Sequence, residues 1–247
     1  MPTALRDNGS SAVGRPSPRA AVPDYLRRHY WWAYVHPSAV KLFERAWLVN
    51  LILWCNYRRL SEAALDALGQ SGTPGRLAGC TLQIACVYGD LTQRLAHRCE
   101  AAGGSLDVVD VLEVQLANLA RKLPSEAPVR LIARDAANLA LPDASYDQVL
   151  LFFLLHEQPE PVRRRTLHEA MRVVRPGGTV VVVDYAKPRA WHPARYLWLP
   201  LLRLLEPFAH GLWRHDLTAW LPQSAPGVSL VRRCFFGGLY QLVRITR

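Results

Sequence analysis

The chain has 247 residues, half of them hydrophobic, and a formal net charge of +10 at neutral pH. This length is enough for one α/β domain with added elements and argues against a second full domain. The positive charge suits an anionic partner, namely nucleic acid, acidic lipid headgroups or a charged cofactor, although an arginine-rich surface in water gives the same balance.

Residues 1–23 are rich in proline, serine and arginine, which predicts a disordered tail. They contain no apolar stretch of the secretory type, so we expect no signal peptide. No apolar run reaches the roughly 18 residues of a membrane span. We expect one domain over residues 24–247. Its predicted parts are N-terminal helices at 24–70, a cofactor-binding core at 80–186, a helical insertion or lid at 187–222 and C-terminal strands at 228–247.

Residues 25–68 predict two aromatic-rich helices separated at Pro37, and Pro74-Gly75 then marks a linker. Beyond it, apolar strands alternate with helices. The predicted strands are TLQIAC from Thr81, SLDVVD from Ser105, VRLIARD from Val129, YDQVLLFFLL from Tyr146 and TVVVVDY from Thr179. Continuous apolar strands are typical of a parallel sheet that helices cover on both faces.

Helices are predicted at 91–102, 112–123 and 161–174, between successive strands. The RPGG turn at 175–178 places glycines where the chain must turn sharply into the fifth strand. After a Trp- and Leu-rich helical insertion, residues 228–247 predict two strands around Gly237-Gly238, which form an antiparallel hairpin at the sheet edge.

The cysteines are odd in number and include no CxxC pair, which predicts reduced thiols without a disulfide or zinc site. Cys86, in the loop after the first strand, fits a small buried residue better than a nucleophile. The five are Cys55, Cys80, Cys86, Cys99 and Cys234.

Polar residues after the strands are candidates for ligand binding, because ligands of such sheets lie at the carboxyl ends of the strands. Asp110 follows the second strand, 21 residues after Gly89, a spacing that suits ribose hydroxyls. The other candidates are Asp135 after the third strand, His156-Glu157 after the fourth and Asp184-Tyr185 after the fifth. An acid in this place also serves as a helix cap, so each position alone leaves both interpretations open.

The ordered motifs GD, VVD, RDAANLALPDASYDQV and HEAMRVVRPGGTVVVVDY resemble the class I S-adenosylmethionine (SAM)-dependent methyltransferases over residues 81–185. The resemblance implies a Rossmann-like α/β fold and SAM as co-substrate. It implies that Asp110 binds the ribose and Asp135 the adenine edge, with Val111 and Ala136 as further cofactor-binding candidates. It also places the first loop beside SAM, with Gln83, Ala85, Val87, Gly89 and Asp90 as binding candidates.

The first loop departs from that family, which usually carries an acid before the loop and small residues through it. Gln83 replaces the acid, Ala85 and Val87 stand at glycine positions, and Tyr88 follows them. Glycine lets a backbone approach its ligand closely, so bulk at Val87 and Tyr88 must alter the methionine end of the pocket. We interpret the loop as rebuilt to present SAM differently; the alternative is a decayed site without activity.

Two strings, ACVYGDLT and LLFFLLHEQP, are similar to the rhodoquinone biosynthesis enzymes, and the similarity extends to nearly the whole chain past the tail. That family resembles quinone methyltransferases but replaces a methoxy group of ubiquinone with an amino group. The resemblance implies ubiquinone as substrate, SAM as amino donor and manganese(II) as an assisting ion. It therefore predicts a SAM-using quinone-aminating enzyme.

Tyr88 and His156 are the candidate catalytic residues. Tyr88 either bonds the substrate or only caps the pocket. His156 is predicted to take a proton from the attacking amine, and with Glu157 it also suits manganese. The alternative is that His156 satisfies a backbone group at the sheet edge. No spacing of histidines and acids identifies metal ligands, and the sequence names none.

Two apolar, Trp-rich segments, AWLVNLILWCNY from Ala46 and RYLWLPLLRLLEPFAHGLW from Arg195, predict peripheral contact with an anionic membrane surface. The arginines expected at the headgroups are those at 27, 28, 195, 203 and 214. The alternative is that both segments pack as a lid over the sheet. We expect the cytoplasmic side of a bacterial inner membrane, or the matrix side in mitochondria. The arginine run at 163–165 is predicted to be a solvated helix face.

Other functions stay open. One is SAM-dependent methyl transfer to a quinone or another lipid-soluble acceptor. A second is a membrane-associated protein that binds SAM or quinone without turnover. Nucleic-acid binding would use the charge, but no motif supports it, so no nucleic acid is expected. The sequence identifies no protein partner.

Overall fold

A seven-stranded mixed sheet forms the centre of the molecule. The computed structural model describes residues 22–30, 44–69, 77–124, 126–193, 195–196, 206–222 and 227–247. The strands are β1 Cys80–Ile84, β2 Ser105–Asp110, β3 Val129–Ala133, β4 Tyr146–Phe152, β5 Val174–Tyr185, β6 Ser229–Phe235 and β7 Tyr240–Thr246. Their order is β3-β2-β1-β4-β5-β7-β6. The predicted Rossmann-like fold is confirmed.

The first five strands run parallel, and the last two form the antiparallel part. β7 pairs with β5, from Thr179 opposite Thr246 to Tyr185 opposite Tyr240, and β6 pairs with β7 at the edge. The predicted hairpin is therefore present, with its second strand next to the sheet. Chain order reverses between β1 and β4, and a crevice opens at the carboxyl ends of strands where such a reversal occurs.

Helices cover both faces of the sheet, as the apolar strands predicted. All seven positions of β4 are buried, and Val180, Val181, Val182 and Val183 in β5 are buried to 1% exposure or less. The helices in the described residues are α1 Asp24–His29, α2 Ala46–Ile52, α3 Tyr57–Leu68, α4 Leu91–Ala101, α5 Glu113–Lys122, α6 Glu160–Val173 and α7 His210–Arg214. Short 3-10 turns lie at Leu155–Glu157, Leu217–Trp220 and Phe236–Gly238.

The N-terminal region contains more helices than predicted. Where two were expected over residues 25–68, the described residues form α1, α2 and α3. Pro37, the Pro74-Gly75 linker and residues 1–21 of the predicted tail lie outside the described residues. α3 packs against the sheet because its apolar residues recur on one helical face; they include Leu60, Ala64, Leu65 and Leu68, all fully buried.

The RPGG turn lies inside the run of β5, where the pairing with β4 is irregular between Tyr146 and Gln148. Gly177 has a φ of +77°, which favours glycine. A Cβ on Gly178 would lie 2.8 Å from the carbonyl oxygen of Asp147. Both glycines are therefore structural, as predicted.

Two further predictions can be compared with the structure, namely the helical insertion at 187–222 and the solvated arginine run at 163–165. In the insertion at 187–222, the described residues include α7, one 3-10 turn and helical residues at 195–196, and residues 194 and 197–205 lie outside the described part. The solvated arginine face is wrong at its first position, because Arg163 is only 1% exposed while Arg164 and Arg165 are exposed. Within the described residues, no helix has the length and apolarity to cross a bilayer.

Candidate functional site

A cavity of about 500 Å³ lies at the carboxyl ends of β1, β2 and β4, between the sheet and helices α1 and α2. Apolar and aromatic side chains form most of its wall. His156, Glu157 and Glu206 lie close together and form what we call its polar end. Eight of the predicted site residues line it: Ala85, Val87, Tyr88, Asp110, Val111, Asp135, Ala136 and His156.

The first loop keeps the backbone conformation of a glycine-rich loop, although alanine stands at its first glycine position. Ala85 has a φ of +74°, a left-handed conformation that costs a residue with a Cβ about 1–2 kcal/mol. Its N–H donates to the Val109 carbonyl oxygen at 2.8 Å, and its own carbonyl accepts from the Gln83 amide at 2.9 Å. Gln83 is fully buried and lies outside the cavity wall, so it supports the loop from behind.

Gly89 is held by packing on its outer side. Its φ is +86°, and a Cβ there would lie 2.6 Å from the Tyr57 hydroxyl, which accepts the N–H of Leu91 at 2.8 Å. Lys122 donates to the Gly89 carbonyl at 2.8 Å. Gly89 and Asp90 line a separate cleft of about 340 Å³ rather than the main cavity. These two predicted residues thus lie behind the site.

Asp110 connects the loops after β1 and β2. Its carboxylate oxygens accept the N–H groups of Cys86 and Leu112, each at 2.8 Å. Burial raises the pKa of this carboxyl above its usual value, although the same N–H groups oppose the shift. The Cys86 thiol and the Val111 N–H also bond this carboxylate, which lines the cavity wall and faces any ligand bound there.

The loop after β3 lies beside Asp110 at the same edge of the sheet. Asp135 accepts the Ala137 N–H at 2.8 Å in a local turn, and Arg134 N–H donates to the Asp110 carbonyl oxygen at 3.0 Å. Val111 and Ala136 add apolar surface beside the two acids. The structure therefore places the two acids predicted for the nucleoside and these two further cofactor-binding candidates along one wall.

Val87 and Tyr88 face the same cavity from the first loop, and both are half-buried. The Tyr88 hydroxyl accepts the Gln115 amide at 2.8 Å. Burial raises the pKa of Tyr88 above its ordinary value, so the phenol is neutral at physiological pH. Gln115, at the start of α5, was not predicted, because one glutamine on a helix carries no sequence signal.

His156 is at the polar end, in the 3-10 turn after β4, and is 5% exposed. Its Nδ1 lies 2.9 Å from an Asp184 carboxylate oxygen, and its Nε2 lies 3.8 Å from Glu157 and 4.0 Å from Glu206. Burial opposes the charged ring, but Asp184, Glu206 and Glu157 outweigh it and raise the pKa of His156 to about 9. The ring is therefore an imidazolium at neutral pH, and its Nδ1 donates to a carboxylate rather than to a backbone group.

Glu206 and Tyr30 complete this end and were missed in the sequence. The Tyr30 hydroxyl donates to Glu206 at 2.7 Å. Burial raises the pKa of the Glu206 carboxyl, against the effect of His156 and of Tyr30. The signal that could have found Glu206 is its character as an acid within an apolar segment, where a buried acid needs a partner.

A metal ion does not fit the described side chains. No group of three histidine, cysteine, aspartate or glutamate residues with metal-binding geometry occurs in the described part of the chain. The nearest approach is His156, whose Nε2 lies 3.8 Å from Glu157 and 4.0 Å from Glu206.

Known proteins place the chain in a family. The domain family described as "Methyltransferase domain" matches residues 81–178. Demethylmenaquinone methyltransferase of Bacillus licheniformis is 30% identical over 161 residues, which make up 62% of this chain and 67% of that relative. The chain belongs to the class I SAM-dependent methyltransferases. The ubiquinone/menaquinone biosynthesis C-methyltransferase of a Marinomonas species is 28% identical over half of this chain and 48% of its own length.

Solved SAM-dependent methyltransferases share the fold. Phosphoethanolamine N-methyltransferase 2 of Haemonchus contortus, in complex with SAM, superposes with a TM-score of 0.58 at 14% identity, over 94% of this chain and 62% of that one. The N-methyltransferase NodS of Bradyrhizobium japonicum, in complex with S-adenosylhomocysteine, gives 0.52 at 14% identity, over 84% and 96%. These likenesses concern the architecture of the sheet and its helices.

Proposed function

We propose that this member of the methyltransferase family acts on ubiquinone, and that it replaces a ring methoxy group with an amino group taken from SAM. The observation that carries the proposal is the first loop, which keeps the glycine-type turn at Ala85 yet directs Val87 and Tyr88 into the cavity. The resemblance of ACVYGDLT and LLFFLLHEQP to the rhodoquinone enzymes supports it.

The nucleoside of SAM is assigned to the wall formed after β2 and β3. Asp110 lines the cavity and is assigned to the ribose hydroxyls, and Asp135 with Ala136 offers an edge for adenine. The methionine end then points toward Val87 and Tyr88. Bound SAM supplies both a sulfonium methyl group and a free amine, so the shape of this end decides which of them faces the acceptor.

The exchange at the ring balances as an addition followed by an elimination. The SAM amine forms a bond to the ring carbon that bears the methoxy group, and that group leaves as methanol with a proton. The carbon–nitrogen bond to the methionine part then breaks in two steps. The Cα–H and N–H hydrogens and two electrons pass to the quinone ring, which becomes a hydroquinone, and water hydrolyses the resulting imine to an α-keto acid and the free ring amine. The bulky loop serves this reaction by bringing the amine to about 3–3.5 Å from the ring carbon.

The charge on His156 changes the role that the sequence predicted for it. Asp184, Glu206 and Glu157 raise the pKa of His156 to about 9, which favours the imidazolium and the role of proton donor over that of base. We assign it to the ring oxygen or to the departing methoxide, where a donor stabilises developing negative charge. Glu206, whose pKa is raised by burial, is the better acceptor for the amine proton.

Methyl transfer to a quinone is the second candidate, and the relatives support it more directly than amination. Their names describe methyltransferases of demethylmenaquinone and of ubiquinone or menaquinone biosynthesis. Both candidates share the quinone. The test is the quinone profile of cells that make ubiquinone and express the chain: an aminated quinone supports the first proposal, and a profile without one contradicts it.

Manganese(II) rests on the resemblance alone. Since the described residues offer no fitting ligand set, the proposed reaction assigns it no residue and no step. A positively charged His156 already provides a donor beside the acceptor.

Membrane attachment is part of the proposal, because helix α2 has apolar side chains on two sides. Leu48, Val49, Ile52 and Leu53 line the cavity. Trp47 and Leu51 point outward, 58% and 63% exposed, and Trp54 follows them at 41%. Asn50 is the one polar residue of this helix, and large apolar side chains exposed together mark a contact surface. We infer that its outer side enters the membrane interface, where a lipid-soluble quinone can pass into the cavity.

The charges around this surface fit anionic lipid. Trp54 stacks on Phe236 with ring centroids 6.1 Å apart, which connects α2 to the turn between β6 and β7. Exposed arginines lie close in sequence to these two aromatic residues, at 45, 58, 59, 232 and 233. Tryptophan beside arginine suits the headgroup region. The membrane we expect is the cytoplasmic side of a bacterial inner membrane, or the matrix side in mitochondria.

A further inference from the structure

Arg163 is an arginine buried where a solvated one was expected. It lies in the first turn of α6, and 1% of it is exposed. Its guanidinium donates to three backbone carbonyl oxygens. Burial lowers its pKa, although an arginine remains charged in any protein. A buried charge is costly, so its contacts show what the fold gains from it.

Two of those carbonyls belong to the turn that carries His156. Arg163 Nε donates to Leu155 O at 2.9 Å, and Nη2 donates to Gln158 O at 3.0 Å. On the opposite side of the turn, Asp184 accepts the N–H groups of Leu155 at 2.8 Å and of His156 at 3.3 Å. The turn is thus fixed between an anion at its N–H groups and a cation at its carbonyls.

The third carbonyl belongs to the segment that carries Glu206. Arg163 Nη2 also donates to Phe208 O at 2.8 Å, two residues after that acid. The guanidinium stacks over the Trp220 ring at 4.6 Å, an attraction that partly offsets the desolvated charge. Gly211 leaves room for it, because a Cβ at this position would collide with Nη1.

We propose that Arg163 is a positioning residue, which holds the His156 turn and the Glu206 segment at a fixed separation across the polar end of the cavity. The assignment rests on the proposed function only in that these two groups face the acceptor. Three acids surround His156: Asp184 from β5, Glu157 from its own turn and Glu206 from the segment before α7. Tyr30, which follows α1, bonds Glu206, and the Tyr185 ring packs edge-on against the imidazole.

The test compares three variants. Arg163→Lys keeps the charge but loses the planar fork that reaches several carbonyls at once. Gly211→Ala keeps Arg163 and displaces its guanidinium. Arg164→Lys, on the exposed neighbour in the same helix, is the matched control. The readouts are the pKa of His156 from NMR titration, SAM affinity from calorimetry, and turnover.

In Arg163→Lys and Gly211→Ala, we expect the pKa of His156 to fall from about 9 toward the ordinary histidine value, because the contact with Asp184 loosens while burial persists. Turnover should fall on the order of 100-fold, as for a misplaced catalytic group. SAM affinity should stay within about twofold, because its site lies away from Arg163. The control should change none of the three.

An unchanged pKa of His156 in both variants would overturn the assignment, as would unfolding of both, which would make Arg163 a residue of the fold alone. A failure of quinone amination in the parent chain is a separate outcome. It would remove the proposed function, while the NMR titration would still decide the role of Arg163.

Discussion

The left-handed alanine of the first loop allows a quantitative prediction. Ala85→Gly removes a Cβ from a residue with a φ of +74°. Relief of the strain is worth about 1–2 kcal/mol, and the added freedom of glycine in the unfolded chain costs about 0.4–1 kcal/mol. The midpoints of these ranges leave a net gain of about 0.8 kcal/mol in the free energy of unfolding. For a chain of this size, that raises Tm by about 1–4 °C.

The measurement is denaturant and thermal unfolding, with Ala144→Gly as the matched control. Ala144 also has a positive φ, +49°, but lies in an exposed turn away from the cavity. Both variants should gain stability, and only Ala85→Gly should also change SAM affinity. A loss of stability in Ala85→Gly would show that the alanine methyl group contributes more to packing than its backbone costs, and the account of a strained loop would fail.

Three other predictions concern the cofactor, the pH and the membrane. Asp110→Ala should weaken SAM binding by about 1–3 kcal/mol, because the ribose hydroxyls lose their partner; unchanged affinity in calorimetry would remove Asp110 from the site. The raised pKa of His156 contributes stability that is complete below its unfolded pKa and is lost as the pH rises through about 9, so stability and turnover should both decline there; a flat pH profile between 7 and 10 would contradict the charged ring. Binding to anionic liposomes should weaken as salt rises and weaken further in Trp47→Ser with Leu51→Ser, the two most exposed apolar residues of α2; equal binding to neutral and anionic liposomes at low salt would refute the electrostatic part, and no binding to either would refute attachment.

The strands and their carboxyl-end residues were predictable because both follow from local patterns. Continuous apolar runs specify buried parallel strands, and RPGG specifies its own turn. Parallel strands also bring their ends to one edge, which is why Asp110 and Asp135 lie along one wall of the cavity. The spacing of residues within one strand-turn-helix unit was sufficient for these conclusions.

Contacts between distant segments were not predictable. His156 depends on Asp184, 28 residues away, and Glu206 bonds Tyr30 across 176 residues. The arginine run at 163–165 predicted a solvated helix face. Helical periodicity instead turns Arg163 inward, where it bonds the turn after β4. The role of His156 changed for the same reason, since its charge is set by acids from three different segments.

The central claim, that SAM gives its nitrogen rather than its methyl group, is tested by SAM that carries heavy nitrogen in its amine and heavy carbon in its methyl group. Purified chain and ubiquinone are incubated with it, and the quinone products are analysed by mass spectrometry. Val87→Gly with Tyr88→Thr, which restores small residues to the loop, is run beside the parent. The account predicts heavy nitrogen without heavy methyl carbon in the parent's product, and loss of that product in the double variant while SAM still binds. Heavy methyl carbon on the quinone without heavy nitrogen, or parent-rate amination by the double variant, would contradict it.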